Sequence, residues 1–279
     1  MAIITISRGS YSRGKDVAEA LAQKLGYECV SRDILLATCE EFSIPEIRLV
    51  KALHDAPSIL DRFSHGKERY ISYFRSAFLN HMAKDNIVYH GLSGHFFLQD
   101  TAHAFKVRII SDMENRIKEE MKRENCSAEE ARYVLKKDDE ERRKWGLQLY
   151  GKDTWDCSLY DMVLNIDTIT VKDAVDILAA VIGKGRFNTT PESIRQLREK
   201  TLLAGIHAKI VNHAPKATVA IHDNIVTIGN LDGRLRSSDE QRQKTSAQLI
   251  KTHGLKEVIF TQPVKNKNSH INTFYNIID

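Results

Sequence analysis

The chain has 279 residues, 42% of them hydrophobic and 28% charged, with a net charge of +4, which excludes a disordered chain. No apolar run reaches the roughly 18 to 20 residues that cross a bilayer, and the first residues lack the basic and apolar segments of a secretory leader, so neither a membrane span nor a signal peptide is expected. Cys29, Cys39, Cys126 and Cys157 fit neither a disulfide framework nor a metal site, and read as reduced thiols of a cytoplasmic protein.

The run Ile3-Ile4-Thr5-Ile6 predicts a buried strand, and Val17, Ala18, Leu21, Ala22 and Leu25 recur at helical spacing. Between them stands Gly9-x4-Gly14-Lys15, a P-loop pattern with Asp16 where Ser or Thr is usual. A tight turn from a strand into a helix aims backbone N–H groups at one point, and the helix dipole adds positive charge there. Gly14 permits close approach of the backbone and Lys15 supplies a point charge for terminal phosphates. Asp16 reads either as a ligand for Mg²⁺ or as a first-turn acid favoured by the dipole.

A short strand follows at Glu28-Cys29-Val30, and Ser31-Arg32-Asp33 opens another helix. Residues 43–85 read as helical, broken at Asp55-Ala56-Pro57. Strands are expected at 87–90, 105–110 and 162–166. A charged helix from Ser111 or Asp112 to about Arg123, a capping box at Ser127-x-x-Glu130 and a closing helix from Val171 to Ile182 separate them. This alternation predicts an α/β fold, a parallel sheet with helices on both faces. Ligands then bind at the carboxyl ends of the strands, where the loops after Ile6, Val30 and Tyr89 converge.

His81, His90, His95 and His103 lack zinc-ligand spacing and read as packing or surface residues, with His90 at the ligand-facing edge. The KKDDEERRK run reads on composition as a solvated helix, and Trp145 and Trp155 as core anchors. Residues 183–191 form a small, polar boundary ending in Pro191 at a helix N1 position. Beyond it come a helix over 192–213, a hairpin across Asp223-Asn224, a helix over 238–252 and a strand over 255–261, an αββαβ order. Residues 188–279 carry 13 Lys/Arg against 8 Asp/Glu. Neither aromatic interleaving nor a dense basic stripe accompanies that excess, so nucleic acid is not an expected partner.

ISRGSYSRGKDVAEALAQKLGYECVSRDIL, Asp139-x-x-Arg142 and Leu159-Tyr160-Asp161-Met162-Val163-Leu164-Asn165 together resemble the cytidylate-kinase-like branch of nucleoside monophosphate kinases over residues 1–182. The segments LAGIHAKIV, VAIHDNIVTIGNL and HGLKEVIF resemble a BON domain over residues 192–265. The first resemblance implies a P-loop kinase-type sheet at 1–185 and ATP-dependent phosphoryl transfer, with Mg²⁺, to CMP or dCMP. The second implies a small α+β binding module at 190–265, for a ligand, a membrane surface or a second subunit, before a flexible tail at 266–279.

The kinase resemblance also implies roles. Ser12, Arg13, Gly14, Lys15 and Asp16 would hold ATP, with Arg142 and Arg143 as lid arginines acting beside Lys15 in catalysis. Arg32 and Asp33 would recognise the acceptor, and Arg75 would reach its phosphate. The pattern narrows the cradle to Tyr11–Lys15, leaves Gly9 incidental and makes an acid at position 16 ordinary. Two departures stand out: Tyr11-Ser12-Arg13-Gly14 replaces Gly-Ser-Gly-Gly, and Gly91-Leu92-Ser93-Gly94 replaces a Gly-Arg-Gly-like turn. They keep two other readings open, a nucleotide-binding regulator and a kinase for another small molecule.

Overall fold

The computed structural model describes residues 1–33, 35 and 64–261. The expected helical stretch over 43–63 with its Asp55-Ala56-Pro57 break, Cys39, and the segment from 262 onward lie outside the described residues. Five strands, β1 (Ile3–Arg8), β2 (Glu28–Ser31), β3 (Ile87–His90), β4 (Ala104–Ile110) and β5 (Met162–Asn165), form one sheet in the order β2-β3-β1-β4-β5. Every pairing is parallel, with Ile6 opposite both His90 and Val107. The chain leaves β1 toward β2 but leaves β3 toward β4. The loops after these neighbouring strands therefore diverge and open a crevice at their carboxyl ends.

The two sheet faces are covered by different helices. On one face Ile4 and Ile6 meet Val17, Ala18 and Leu21 of α1 (Gly14–Leu25), and Ala174 and Leu178 of the helix Val171–Gly183. On the other face Ile3, Ile87 and Tyr89 meet Phe74 and Phe78 of α2 (Gly66–Met82). Two further helices, α3 (Met113–Glu124) and α4 (Ala128–Tyr150), form an arm, and Val171–Gly183 is α5. The Ser127–Glu130 capping box opens α4 as its sequence predicts, with Ser127 N donating to the Glu130 carboxylate at 2.9 Å. A 3₁₀ turn over Gly94–Leu98, too short to show a period in the sequence, follows β3.

Thr190 and Pro191 start α6 (Pro191–Ile210) with a capping box of their own. A mixed three-stranded sheet follows: β6 (Thr218–His222) pairs antiparallel with β7 (Ile225–Gly229), which pairs parallel with β8 (Glu257–Phe260). The hairpin turns at Asp223 and Asn224, both with positive φ as a type I′ turn requires. Between β7 and β8 stand a short helix α7 (Gly233–Ser237) and α8 (Asp239–His253), so the order is αββααβ, not αββαβ.

This small α+β region has its own core around Ile206, Val226, Ile228 and Leu249. Yet Leu197 and Ala204 of α6 belong to the same apolar cluster as Phe74, Phe78 and Leu79 of α2. Across that seam Ser72 Oγ lies 2.7 Å from His207 Nδ1, and His207 Nε2 lies 3.1 Å from the Ala217 carbonyl oxygen. No helix among the described residues is long and apolar enough to cross a membrane.

Candidate active site

β1 ends at Arg8 and α1 begins at Gly14, so residues 9–13 make the turn. It is shaped from within. Gly9 N donates to the Ile109 carbonyl at 3.2 Å, and the buried Ser12 hydroxyl lies 3.0 Å from the Gly9 carbonyl oxygen and 3.1 Å from that of Ile109. Tyr11 and Arg13 take left-handed backbone conformations (φ 53° and 58°), each costing about 1–3 kcal/mol for a residue with a side chain. Gly14 is required for close approach: a Cβ there would lie 2.7 Å from the Cβ of Arg8. Arg13 gives α1 no side-chain cap, so the first-turn N–H groups and the dipole present a positive end to an anion.

Cations surround this turn. The Arg8 Nε is buried and has no hydrogen-bond partner, and burial, followed by nearby Arg142, lowers the pKa of its guanidinium. Two like charges held together in a partly dry site are stabilised by an anion between them. Arg142 Nε donates to Ser10 Oγ at 3.0 Å, and Ser10 N donates to Asp139 Oδ1 at 2.9 Å. The other Asp139 oxygen accepts from buried Arg116 Nη2 at 2.7 Å. Among the described residues Lys15 pairs only with exposed Glu19, at 3.6 Å, a surface pair that is easily given up. A cavity of about 720 Å³ lies between the turn and α3, lined by Arg8, Tyr11, Arg13, Lys15, Glu120 and Arg123 among others. A half-buried guanidinium whose Nε finds no partner among the described residues, a tight approach at Gly14 and an uncapped helix start fit the phosphates of a nucleotide.

Of the residues singled out by sequence, Gly14, Lys15 and Arg142 converge on the turn. Asp16 is beside them but pairs with Arg13, Nε to Oδ2 at 3.2 Å. Among the described residues no three potential metal ligands cluster. Ser12 contributes a hydroxyl that closes the turn from inside. Asp33 is exposed and near enough to Arg8 and His90 to raise both pKa values, against the stronger effect of burial. Arg32 is buried, donates to the Tyr70 hydroxyl at 3.2 Å and lies 5.2 Å from the Trp145 ring.

Two expected arginines are not at the turn. Arg143 donates to Asp153 through Nε (2.9 Å) and Nη2 (2.6 Å) and sits over Trp155. Neighbouring helical residues point about 100° apart, and here Arg142 reaches Ser10 while Arg143 reaches Asp153. Arg75 lies on the face of α2 that meets α6, close enough to Lys200 and His207 to lower both pKa values. The Nε of Arg75 is buried there, and burial lowers its own pKa. Trp145 is a core anchor as expected, whereas Trp155 is 51% exposed because Arg143 holds it at the surface.

Arg8 is the residue that sequence reasoning passed over. It was visible as the last letter of Ile-Ser-Arg, but only the fold brings its side chain across Gly14. His90 ends β3 beside it; burial, and then Arg8, lower its pKa.

The family model for the cytidylate kinase-like family matches residues 3–168. A cytidylate kinase from Sulfolobus acidocaldarius is 24% identical over 187 residues, covering 67% of this chain and 97% of that protein. An uncharacterized protein from Eubacterium ventriosum has a crystal structure similar to this one, with a TM-score of 0.51 and 21% identity over 66% of this chain and 99% of its own. A shikimate kinase from Bacteroides thetaiotaomicron gives a TM-score of 0.41 at 12% identity over 65% of this chain and 98% of its own. The matched residues run from β1 to the loop after β5 and contain the whole phosphate turn with its α3–α4 arm, and the chain belongs to the cytidylate kinase-like family.

Proposed function

We propose that the protein transfers the terminal phosphoryl group of ATP to a nucleoside monophosphate, CMP or dCMP. The observation that carries the proposal is the meeting of Arg8, Lys15 and Arg142 at a turn whose helix is uncapped. In this reading an acceptor phosphate oxygen attacks the γ-phosphorus, the bond to the β–γ bridging oxygen breaks, and ADP leaves. The acceptor phosphate is already a nucleophile, so positioning and charge stabilisation do most of the work.

Lys15 and the first-turn N–H groups hold the donor phosphates, and Arg8 and Arg142 stabilise charge on the group in transit. Arg32, fixed by Tyr70 and Trp145, and Asp33 face the acceptor. Mg²⁺ bound with ATP would neutralise phosphate charge, and Asp16 would be the carboxylate to hold it. Residues 1–185 are taken as the kinase unit and 190–265 as a BON-like binding module for a ligand, a membrane surface or a second copy, supported by element order alone. The reading includes a cytoplasmic location, where ATP and nucleoside monophosphates are available.

The test is a panel of CMP, dCMP, UMP and AMP with ATP and Mg²⁺, read by ADP release. Acceptor-dependent release with CMP or dCMP supports the proposal. Tight ATP binding with no turnover across the panel would favour a nucleotide-binding regulator. That second reading draws on one observation, the engagement of Arg143 by Asp153 and Trp155 away from the turn. Turnover confined to an acceptor outside the panel would point to a kinase for another small molecule.

A further inference from the structure

The turn carries Tyr11 and Arg13, two residues with full side chains, and both take left-handed backbone conformations. Something outside the turn must hold them there. Among the described residues Arg13 has only its exposed pair with Asp16. Tyr11 is held far more firmly. Its ring packs on the small core between α3 and α4 formed by Ile117, Ala131 and Leu135. The Arg123 guanidinium lies over the same ring, 3.9 Å from its centroid. Arg123 is itself fixed by Glu120, Nη2 to Oε1 at 2.7 Å, and that carboxylate side chain is 3% exposed.

We infer that Tyr11 is a positioning residue of the phosphate turn: held by the α3–α4 core and by Arg123, its ring keeps the turn in a conformation that its own backbone disfavours. The inference rests on the turn being the nucleotide site, and it makes the arm part of that site's rigidity. Glu120 acts through Arg123, and Arg123 acts through the ring. One residue earlier, Ser10 is held by Asp139 and Arg142 of the same arm. Two adjacent turn residues are thus fastened to α3 and α4, so movement of the arm is transmitted to the phosphate site.

The test is amide hydrogen exchange of a peptide spanning residues 8–16 in the ligand-free full chain, paired with ADP affinity by calorimetry. Arg123→Ala is expected to speed exchange in this peptide about tenfold and weaken ADP binding about tenfold. Arg123→Lys, which keeps a cation over the ring, is expected to stay within about threefold of wild type in both. In a Tyr11→Gly background the left-handed backbone carries no penalty and the ring is gone. Adding Arg123→Ala there is expected to change either quantity less than twofold, a non-additivity that reports coupling through the ring. An equal loss in both backgrounds would mean that Arg123 meets the nucleotide directly and would overturn the inference. Unchanged exchange in Arg123→Ala would overturn it too. Because the exchange arm uses no ligand, it decides the inference even if the protein binds no nucleotide, which would sink the proposed function separately.

Discussion

Arg142 and Ser10 join the arm to the phosphate turn: Arg142 Nε donates to Ser10 Oγ at 3.0 Å, while Asp139, one turn earlier on α4, accepts from Ser10 N at 2.9 Å. One helical turn thus grips both the side chain and the backbone of a single loop residue. Arg142 is therefore held at the turn, where the proposed function places the phosphates, before any nucleotide arrives.

Replacing Arg142 by Ala is expected to lower kcat by about 10² to 10³-fold, the range seen when one donor to a developing charge is lost. ATP affinity should fall only a few-fold, since the α1 amides, Arg8 and Lys15 remain. Steady-state kinetics with calorimetric ATP binding separates the two effects. Equal losses in both would assign Arg142 to ground-state binding.

Gly14→Ala places a methyl group 2.7 Å from the Cβ of Arg8, a distance that forces the start of α1 or the end of β1 to move. The backbone at Gly14 is helical, so the cost is contact and not conformation. ADP affinity is expected to drop at least tenfold while far-ultraviolet circular dichroism stays that of wild type. Unchanged affinity would place the phosphates away from this turn.

The architecture of the first half was legible because its strands are continuous apolar runs and its helices are strongly periodic. The start of α6 was legible from Pro191 at its first position. The Gly94–Leu98 turn and α7 are five residues each and carry no period to read. Side-chain direction was the harder matter. Arg75 lies on a helix with two occupied faces, and nothing near it in sequence says that α6, more than a hundred residues later, packs on its side. Tyr11 looked like an exception to a glycine-rich pattern, and only the α3–α4 core explains why an aromatic ring stands there.

The α2–α6 seam carries a pH dependence of stability. Burial, followed by nearby Arg75, pushes the His207 imidazole down from 6.5 to about 4. Between those values the unfolded chain binds a proton that the folded chain refuses. The stabilisation is therefore complete above pH 6.5 and is lost as pH falls toward 4. The effect is on the order of 3 kcal/mol. Fully buried His95, pushed down to about 3, acts in the same direction. Urea unfolding of wild type and His207→Gln between pH 7 and 4 should show a shallower acid loss in the variant. Parallel pH profiles would contradict it.

Leu197 sits on α6, 3% exposed, within the cluster that α2 shares with the parallel sheet. Leu197→Ala in the full chain is expected to cost about 2–4 kcal/mol, as for buried leucines elsewhere. The shared core should make the described halves unfold together in one transition. Two separated transitions, with only one of them shifted by the substitution, would show that α6 is not structurally joined to the sheet.

Phosphoryl transfer itself is read most directly with γ-phosphate-labelled ATP, Mg²⁺ and CMP, followed by separation of the nucleotides. The expected result is label in CDP in one-to-one proportion with ADP, at least 10²-fold slower in Lys15→Ala. Label that stays in ATP, or appears only as inorganic phosphate whether or not an acceptor is present, although the wild-type protein binds ATP, would contradict the nucleoside monophosphate kinase reading.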